Sequence, residues 1–221
     1  MNTIDAPIPQ CWYEDEALLV LEKPSGLLCV PGRGPDKQDC LSSRAQAHWS
    51  DALIVHRLDQ ATSGLLIMAR SLAVQRALSL AFEKKQIQKR YEAVVAGQLE
   101  PLSADWQLID LPIAADWERR PLRVIDAEQG KSSQTLWRAL AHEHTEQHQA
   151  CTRVLLSPLT GRTHQLRVHM AAVGHAIVGD ALYAAPEIAA QSQRLLLHAK
   201  ILRLEHPTNG QILEFESKTP F

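Results

Sequence analysis

The stretch ALIVHRLDQATSGLLIMAR, residues 52–70, is the most informative part of this sequence. Two short apolar runs, both rich in Ile, Leu and Val, flank a polar segment that contains His56, Arg57 and Asp59. Short apolar runs of this kind are typical of buried strands, and the polar segment between them predicts a loop where the sheet ends. We therefore expect the carboxylate of Asp59 to face a cleft.

The length and composition of the chain predict a soluble protein with a substantial core. Its 221 residues, 45% of them hydrophobic, suffice for one domain or two closely packed lobes. The chain start lacks the pattern of a signal peptide, and no run approaches the roughly 18 apolar residues that span a bilayer. The four cysteines are scattered and contain no CxxC pair, which argues against a zinc knuckle or a disulfide framework. These features favour a cytoplasmic protein with reduced thiols.

The charge of the chain is close to balanced, so any affinity for a polyanion must come from local clusters. The formal net charge is -2, which provides no global attraction to nucleic acid. Three segments nevertheless concentrate Lys and Arg: EKKQIQKRY (83–91), WERRPLR (117–123) and TGRTHQLRVH (160–169). Each segment alone also fits a solvated surface, whereas three in one chain favour a nucleic-acid partner.

The pattern of strands and helices predicts an α+β fold on a largely antiparallel sheet flanked by a few helices. A helix is expected after Ser71, which suits an N-cap, and a second helix from about Arg162 to Gly174, where glycine suits the C-terminal cap. The expected strands lie near residues 17–21, 89–97, 132–140 and 152–159, with two more in the tail, 194–217. The polar segment 142–150 predicts a hairpin loop.

Three residues are candidates for chemistry or substrate binding. Asp59 has Arg57 two residues before it, and a guanidinium keeps a neighbouring carboxylate ionised, although an aspartate at a strand end also serves as a simple turn former. Tyr91 follows a run of cations and suits stacking on a base, although a tyrosine also packs well on a sheet face. Arg162 is expected in the first helical turn, where an arginine favours a phosphate or carboxylate.

The helix that would carry Arg162 also predicts a polar stripe. Gln165 and His169 follow Arg162 at i+3 and i+7, on a face distinct from that of Leu166 and Met170. Such a stripe either looks into a cleft or is exposed to solvent.

The sequence gives little support to metal or acyl-transfer chemistry. His142, His144 and His148 lie in a polar segment that lacks apolar residues to fix them. His164 and His169 miss the spacing of a zinc-binding HExxH helix, and the chain contains no phosphate-binding glycine motif and no GxSxG. One carboxylate, several arginines and an aromatic ring suit chemistry on a nucleotide without a cofactor, or RNA binding alone.

These motifs resemble those of the RluA-type pseudouridine synthases. HRLDQATSGLLIMA is similar to the long family signature HRLDxxTSG, and KPSGLLCVPG, KRYEAVVAG, TGRTHQLRVHMAAVGHAIVGDALY and RLLLHA resemble further family motifs in the same order. The middle segment DLPIAADWERRPLRVIDAEQGKSSQT most resembles the member that modifies both 23S rRNA and the tRNA anticodon stem-loop.

The resemblance implies a pseudouridine synthase fold with a central RNA-binding cleft, and an isomerase that needs no metal or organic cofactor. On this mapping Asp59 matches the catalytic aspartate, and Tyr91 matches the tyrosine that stacks on the base. Arg162 matches the arginine that pairs with the aspartate, and Arg57 the arginine that fills the RNA stack when the target nucleotide leaves it. The RNA partners of this protein would be 23S rRNA, tRNA or both.

The resemblance also implies a domain organisation. It covers the chain from about Trp12, so residues 1–11 are expected to form a tail and residues 12–221 the catalytic domain, with no room for the N-terminal S4 domain that many family members carry. All RNA affinity would then rest on the catalytic domain, and we expect a monomer.

Two other functions are consistent with parts of the sequence. A non-catalytic RNA-binding protein on the same fold would need the basic clusters but not Asp59, and a histidine-based metal hydrolase would need the histidines of segment 142–150. The role of Asp59 also stays open, because attack at C1′, addition to the ring and abstraction of a sugar proton all require a carboxylate at the same place.

Overall fold

The computed structural model describes residues 7–221 and has an α+β fold, as predicted. The helices are α1 (Leu41–His48), α2 (Leu72–Glu83), α3 (Gln165–Ala172) and α4 (Pro186–Ala189). The strands are β1 (Gln10–Glu14), β2 (Leu18–Lys23), β3 (Leu53–Ile54), β4 (Ser63–Ala69), β5 (Gln88–Ala96), β6 (Gln107–Asp110), β7 (Ile113–Ala115), β8 (Arg123–Ile125), β9 (Gln134–His144), β10 (Ala150–Pro158), β11 (Leu197–Glu205) and β12 (Ile212–Glu216). No helix within residues 7–221 has both the length and the apolar character needed to cross a membrane.

The chain divides into two compact units. The first contains the described residues up to Gln88 together with 199–219, and the second contains residues 89–198 and 220–221. β1 begins at Gln10, within the segment that we expected to form the N-terminal tail. Residues 1–6 of that segment lie outside the described part of the chain.

The first unit is built on a sheet with the strand order β1-β2-β4-β11, in which β12 pairs with β11 and β3 pairs with β4. All seven residues of β4 are buried, which agrees with the continuous apolar run in the sequence. β3 is only two residues long and half-buried. The first apolar run of the 52–70 stretch therefore forms a much shorter strand than its composition predicts.

Helix α2 covers one side of this sheet and begins where the sequence predicts. The side chain of Ser71 accepts a hydrogen bond from the backbone N–H of Val74, which satisfies one of the free donors of the first turn. Val74 and Leu78 are buried in a core with Leu65 and Ile67 of β4. The sheet and helix therefore fix the position of the loop that precedes β4.

The second unit contains a sheet with the order β5-β10-β9-β6, and its paired strands are antiparallel. β9 extends through His144, so the hairpin turn covers residues 145–149 and is shorter than the predicted loop 142–150. The reason is that antiparallel pairing with β10 satisfies the backbone of His142 and His144 regardless of their polar side chains. β7 and β8 form a separate hairpin in the same unit.

Candidate active site

Arg57 and Asp59 lie on the loop between β3 and β4, where the sequence predicts a loop. Residues 55–59 have no regular secondary structure, and the backbone N–H of Thr62 donates to the carbonyl oxygen of Asp59 at 3.1 Å, which closes the turn into β4. Asp59 is half-buried and Arg57 is exposed. The carboxylate is thus neither sealed in the core nor fully exposed to solvent.

A buried lysine fixes the backbone beside Asp59. Lys23, which is 0% exposed, donates from Nζ to the carbonyl oxygens of Pro24 at 2.9 Å, Leu27 at 2.7 Å and Gln60 at 2.9 Å. An ammonium group only donates, and carbonyl oxygens are suitable acceptors for it. Since Gln60 directly follows Asp59, the ammonium connects the turn after β2 to the loop that carries the carboxylate.

The same turn makes further hydrogen bonds to this loop. The Ser25 hydroxyl donates to the carbonyl of Ala61 at 2.7 Å. The backbone N–H of Gly26 donates to the carbonyl of Gln60 at 2.9 Å, and the Gln60 side-chain amide donates back to the carbonyl of Gly26 at 3.0 Å. The KPSG motif is therefore a backbone support for the residues next to Asp59.

Cys29 supports the residue on the other side of Asp59. Its Sγ accepts from the backbone N–H of Leu58 and donates to the carbonyl oxygen of the same residue, both at 3.2 Å. Burial raises the pKa of the Cys29 thiol, so it stays protonated and able to donate at neutral pH. The sequence alone predicts only a reduced thiol at Cys29, because the contact with Leu58 is set by tertiary structure.

His56, at the start of the HRLD motif, has a structural contact. Its Nε2 accepts from the backbone N–H of Ile67 at 3.0 Å, and its ring lies 4.5 Å from the ring of Phe82. The imidazole therefore links the loop to β4 and α2.

In the second unit, Tyr91 lies on β5 and is 9% exposed. Alternation along the strand places Lys89 on the same face as Tyr91 and Arg90 on the opposite face. Arg90 lies over the ring of Trp106, at 5.8 Å from its centroid. Of the cations that precede Tyr91 in the sequence, Arg90 therefore lies on the opposite face of the strand, because neighbouring strand residues point to opposite sides.

Arg162 does not occupy the first turn of a helix, as the sequence predicted. Helix α3 begins at Gln165, after His164 in the left-handed conformation with φ 57°. Arg162 therefore lies in the preceding loop, where its side chain is exposed and its Nε and Nη2 are each 3.4 Å from the carbonyl oxygen of Ser132.

The polar stripe on α3 was predicted either to face a cleft or to be exposed to solvent. Both predictions are wrong, because Gln165 and His169 are buried. The Gln165 side chain accepts from Thr160 at 2.7 Å and donates to the carbonyl of Gln134 at 2.9 Å. His169 lies 2.9 Å from the Thr135 hydroxyl, and burial lowers its pKa, which keeps the imidazole neutral. These side chains attach the helix to β9 instead of facing solvent or a cleft.

The structural importance of Arg167 is not visible in the sequence. This arginine is 4% exposed and forms a two-pronged ion pair with Asp180, in which Nε–Oδ2 is 2.8 Å and Nη2–Oδ1 is 2.6 Å. Its guanidinium lies 5.1 Å from the ring centroid of Tyr183. The apolar spacing of α3 contains no signal for this pair, because Asp180 lies beyond the helix and is brought to it only by folding.

Within residues 7–221 the four predicted site residues are distributed over both units. Arg57 and Asp59 belong to the first unit, and Tyr91 and Arg162 to the second. The pairing of Arg162 with Asp59 therefore stays a prediction.

Comparisons with known proteins identify the family. A family model described as RNA pseudouridylate synthase matches residues 17–172. The chain is 44% identical over 209 residues to the dual-specificity RNA pseudouridine synthase RluA of Yersinia pestis, covering 95% of this chain and 98% of that protein. It is 43% identical over 209 residues to the protein of the same name from Escherichia coli K12, covering 95% and 92%.

Solved structures agree with this result. Human RNA pseudouridylate synthase domain containing 1 is 30% identical and superposes with a TM-score of 0.80, covering 96% of this chain and 84% of the human chain. Human RNA pseudouridylate synthase domain containing 4 is 23% identical and has a TM-score of 0.71, covering 96% of this chain and 88% of the human chain. It shows the shared fold. The chain belongs to the RNA pseudouridylate synthase family.

Proposed function

We propose that this pseudouridine synthase isomerises uridines in both 23S rRNA and the tRNA anticodon stem-loop, with Asp59 as its catalytic carboxylate. The observation that carries the proposal is the half-buried carboxylate of Asp59 on a loop whose backbone is fixed by Lys23. The breadth of the substrate range is supported by the Yersinia pestis and Escherichia coli relatives, which are named as dual-specificity enzymes.

The reaction rearranges uridine without adding or removing atoms. The bond between N1 and C1′ breaks, the uracil turns while bound, and C5 bonds to C1′; C5 loses its proton and N1 regains one. No redox partner is required. A positioned carboxylate serves this chemistry as a nucleophile or as a proton acceptor. Partial burial strengthens either role, because it limits competition from water.

Tyr91 and Arg57 would act on the substrate rather than on the bond that breaks. We propose that the ring of Tyr91 stacks on the uracil and that its hydroxyl assists removal of the C5 proton. We propose that Arg57, which is exposed on the Asp59 loop, enters the RNA stack when the uridine is extruded. Extrusion costs about a few kcal/mol, and a side chain that fills the gap reduces this cost.

Asp59→Asn tests the catalytic role directly. The amide keeps the size of the side chain but loses its charge. We therefore expect RNA binding to persist while turnover falls by about 10²–10⁴-fold, the range for removal of an acid–base group. Tritium release from RNA containing 5-tritiated uridine measures turnover, and filter binding measures affinity.

Asp51→Asn is a matched control in the same segment, because Asp51 pairs with Arg70 at 3.0 Å and has no proposed role in the reaction. Turnover by Asp59→Asn equal to that of this control would remove Asp59 from its role. A wild-type protein that binds RNA but releases no tritium would identify a non-catalytic RNA-binding protein. Mapping pseudouridines in total RNA from cells with and without the protein tests the two proposed substrates.

A further inference from the structure

A cleft in the second unit is lined by cations that are not neutralised. Its volume is about 470 Å³, within the range of about 300–1,000 Å³ that is usual for small-ligand sites. Arg123, Lys131 and Arg162 all line this cleft. None of the three forms an ion pair with another residue of the second unit, 89–198 and 220–221. Three unpaired cations around one cleft favour an anionic ligand.

One carboxylate, that of Asp126, also lines the cleft and offsets part of the charge of the three cations. Asp126 accepts hydrogen bonds at Oδ1 from the backbone N–H groups of Glu128 and Gln129, both at 2.9 Å. Its side chain is thus engaged in closing the turn after β8. The cleft keeps a local excess of positive charge although the whole chain has a formal charge of -2.

An aromatic ring stands at the same cleft. Trp117 is 71% exposed, and the guanidinium carbon of Arg120 lies 4.1 Å from the centroid of its ring. Because one face of the indole is covered by Arg120 while most of the side chain stays exposed, the other face is open to a ligand. Exposing a large aromatic side chain at a cleft lined by cations is typical of surfaces on which nucleic-acid bases stack.

The walls of the cleft are held in place before any ligand binds. The Tyr183 hydroxyl accepts from the backbone N–H of Arg123 at 3.0 Å and is hydrogen-bonded to Nδ1 of His164 at 2.7 Å. One hydroxyl thus connects the β7–β8 hairpin to the loop that carries Arg162. Ile113 and Lys131, which both line the cleft, exchange backbone hydrogen bonds at 3.0 and 2.9 Å. A preformed cleft needs less ordering when it binds.

We infer that this cleft binds one nucleotide of the substrate RNA other than the uridine that is isomerised, with a phosphate at Arg123, Lys131 and Arg162 and a base on Trp117. The inference rests on the proposed function for the identity of the RNA. It also assigns Arg162 a contact with the RNA backbone, which agrees with its exposed position and its long contacts to Ser132.

Trp117→Ala and Lys131→Gln test the inference by filter binding of an anticodon stem-loop RNA at several salt concentrations. Loss of one stacked base weakens binding by about 1–3 kcal/mol, so we expect Kd to rise about 5- to 150-fold for Trp117→Ala. Loss of one phosphate contact should reduce the slope of log Kd against log salt by about 0.7–0.9 for Lys131→Gln. Trp117→Phe, which retains a stacking ring, should restore much of the affinity.

Trp12→Ala and Arg203→Gln are controls for the same chemical changes, since Trp12 is an exposed tryptophan and Arg203 an exposed arginine on strands of the first unit. Both should bind RNA like the wild type. A Kd for Trp117→Ala equal to that of the Trp12→Ala control, and an unchanged salt slope for Lys131→Gln, would overturn the inference.

Photocrosslinking with 5-iodouridine at positions beside the target gives a second measurement. We expect the crosslinked peptide to contain Trp117, and crosslinks confined to peptides outside residues 113–131 and 161–163 would contradict the cleft. These results are separate from the proposed function, which fails if the wild type releases no tritium, whatever the variants bind.

Discussion

At the scale of single residues, Asp59 differs from an ordinary turn-forming aspartate by the way its neighbours are held. Leu58 is fixed through Cys29, and Gln60 through Lys23 and Gly26. Contacts on both sides therefore hold the backbone that carries the carboxylate in one place. Such preorganisation lowers the cost of reaching the reactive geometry.

Tyr91→Phe separates stacking from proton transfer at one residue. The substitution keeps the ring on β5 and removes only the hydroxyl, so we expect RNA binding within experimental error of the wild type and turnover slower by about 10²–10⁴-fold. Single-turnover tritium release at saturating enzyme measures this rate.

Tyr13→Phe is the matched control, because it removes a hydroxyl that donates to Asp15 at 2.8 Å in the first unit. It should turn over substrate like the wild type. Full activity of Tyr91→Phe would limit Tyr91 to packing and stacking.

At the scale of the elements, the approach of two strands depends on the glycine of the TSG motif. Gly64, the second residue of β4, has φ +114°, and a Cβ built there would overlap the carbonyl oxygen of Ala199 on β11. Both the backbone conformation and the close approach exclude a larger side chain. The small residues after Asp59 therefore serve the packing of β4 against β11 as well as the turn.

Gly64→Ala should destabilise the protein by about 2–5 kcal/mol, the sum of left-handed backbone strain and a backbone clash. Gly174→Ala is a control with the same kind of backbone, φ +86°, but with no atom within 4 Å of the added Cβ, so it should cost only about 1–2 kcal/mol. Urea denaturation followed by circular dichroism measures both. Equal losses for the two variants would show that the contact with Ala199 relaxes without cost.

At the scale of the whole molecule, a hydrogen-bonded carboxylate joins distant parts of the chain. Asp15 accepts from the backbone N–H groups of Ala17 and Leu18 and from Nε2 of His206, 191 positions away, at 2.8 Å. Burial alone would raise the pKa of Asp15, but the hydrogen bonds from Leu18, Tyr13, Ala17 and His206 outweigh it and lower the pKa to about 2. Folding therefore favours the ionised form of this group.

Asp15→Asn should reduce the free energy of unfolding at pH 7 by about 1–2 kcal/mol, because the lowered pKa is a measure of stabilisation by the charged form. The pKa in the folded state lies below the ordinary value of 3.8, so the contribution is complete above that value and is lost as the pH falls towards about 2. Urea denaturation at pH 7, 5, 4 and 3 should show a difference from the wild type that shrinks below pH 4.

Asp36→Asn, at an exposed carboxylate without an ion pair in the described range 7–221, is the control and should differ little from the wild type at any of these pH values. A difference for Asp15→Asn that stays constant from pH 7 to pH 3 would show that Asp15 acts through packing and not through its charge.

The α+β class, the start of α2 at its Ser71 cap, the loop position of Asp59 and the family could all be predicted from the sequence. Local rules suffice for these features, because a cap, an apolar run and a contiguous motif each act over a few residues. Three features could not be predicted in this way: the burial of Gln165, Arg167 and His169, the position of Arg162 before the helix, and the support of the Asp59 loop by Lys23 and Cys29. A polar side chain becomes internal when folding supplies its hydrogen-bond partners, and those partners lie too far along the chain for any local pattern to reveal them.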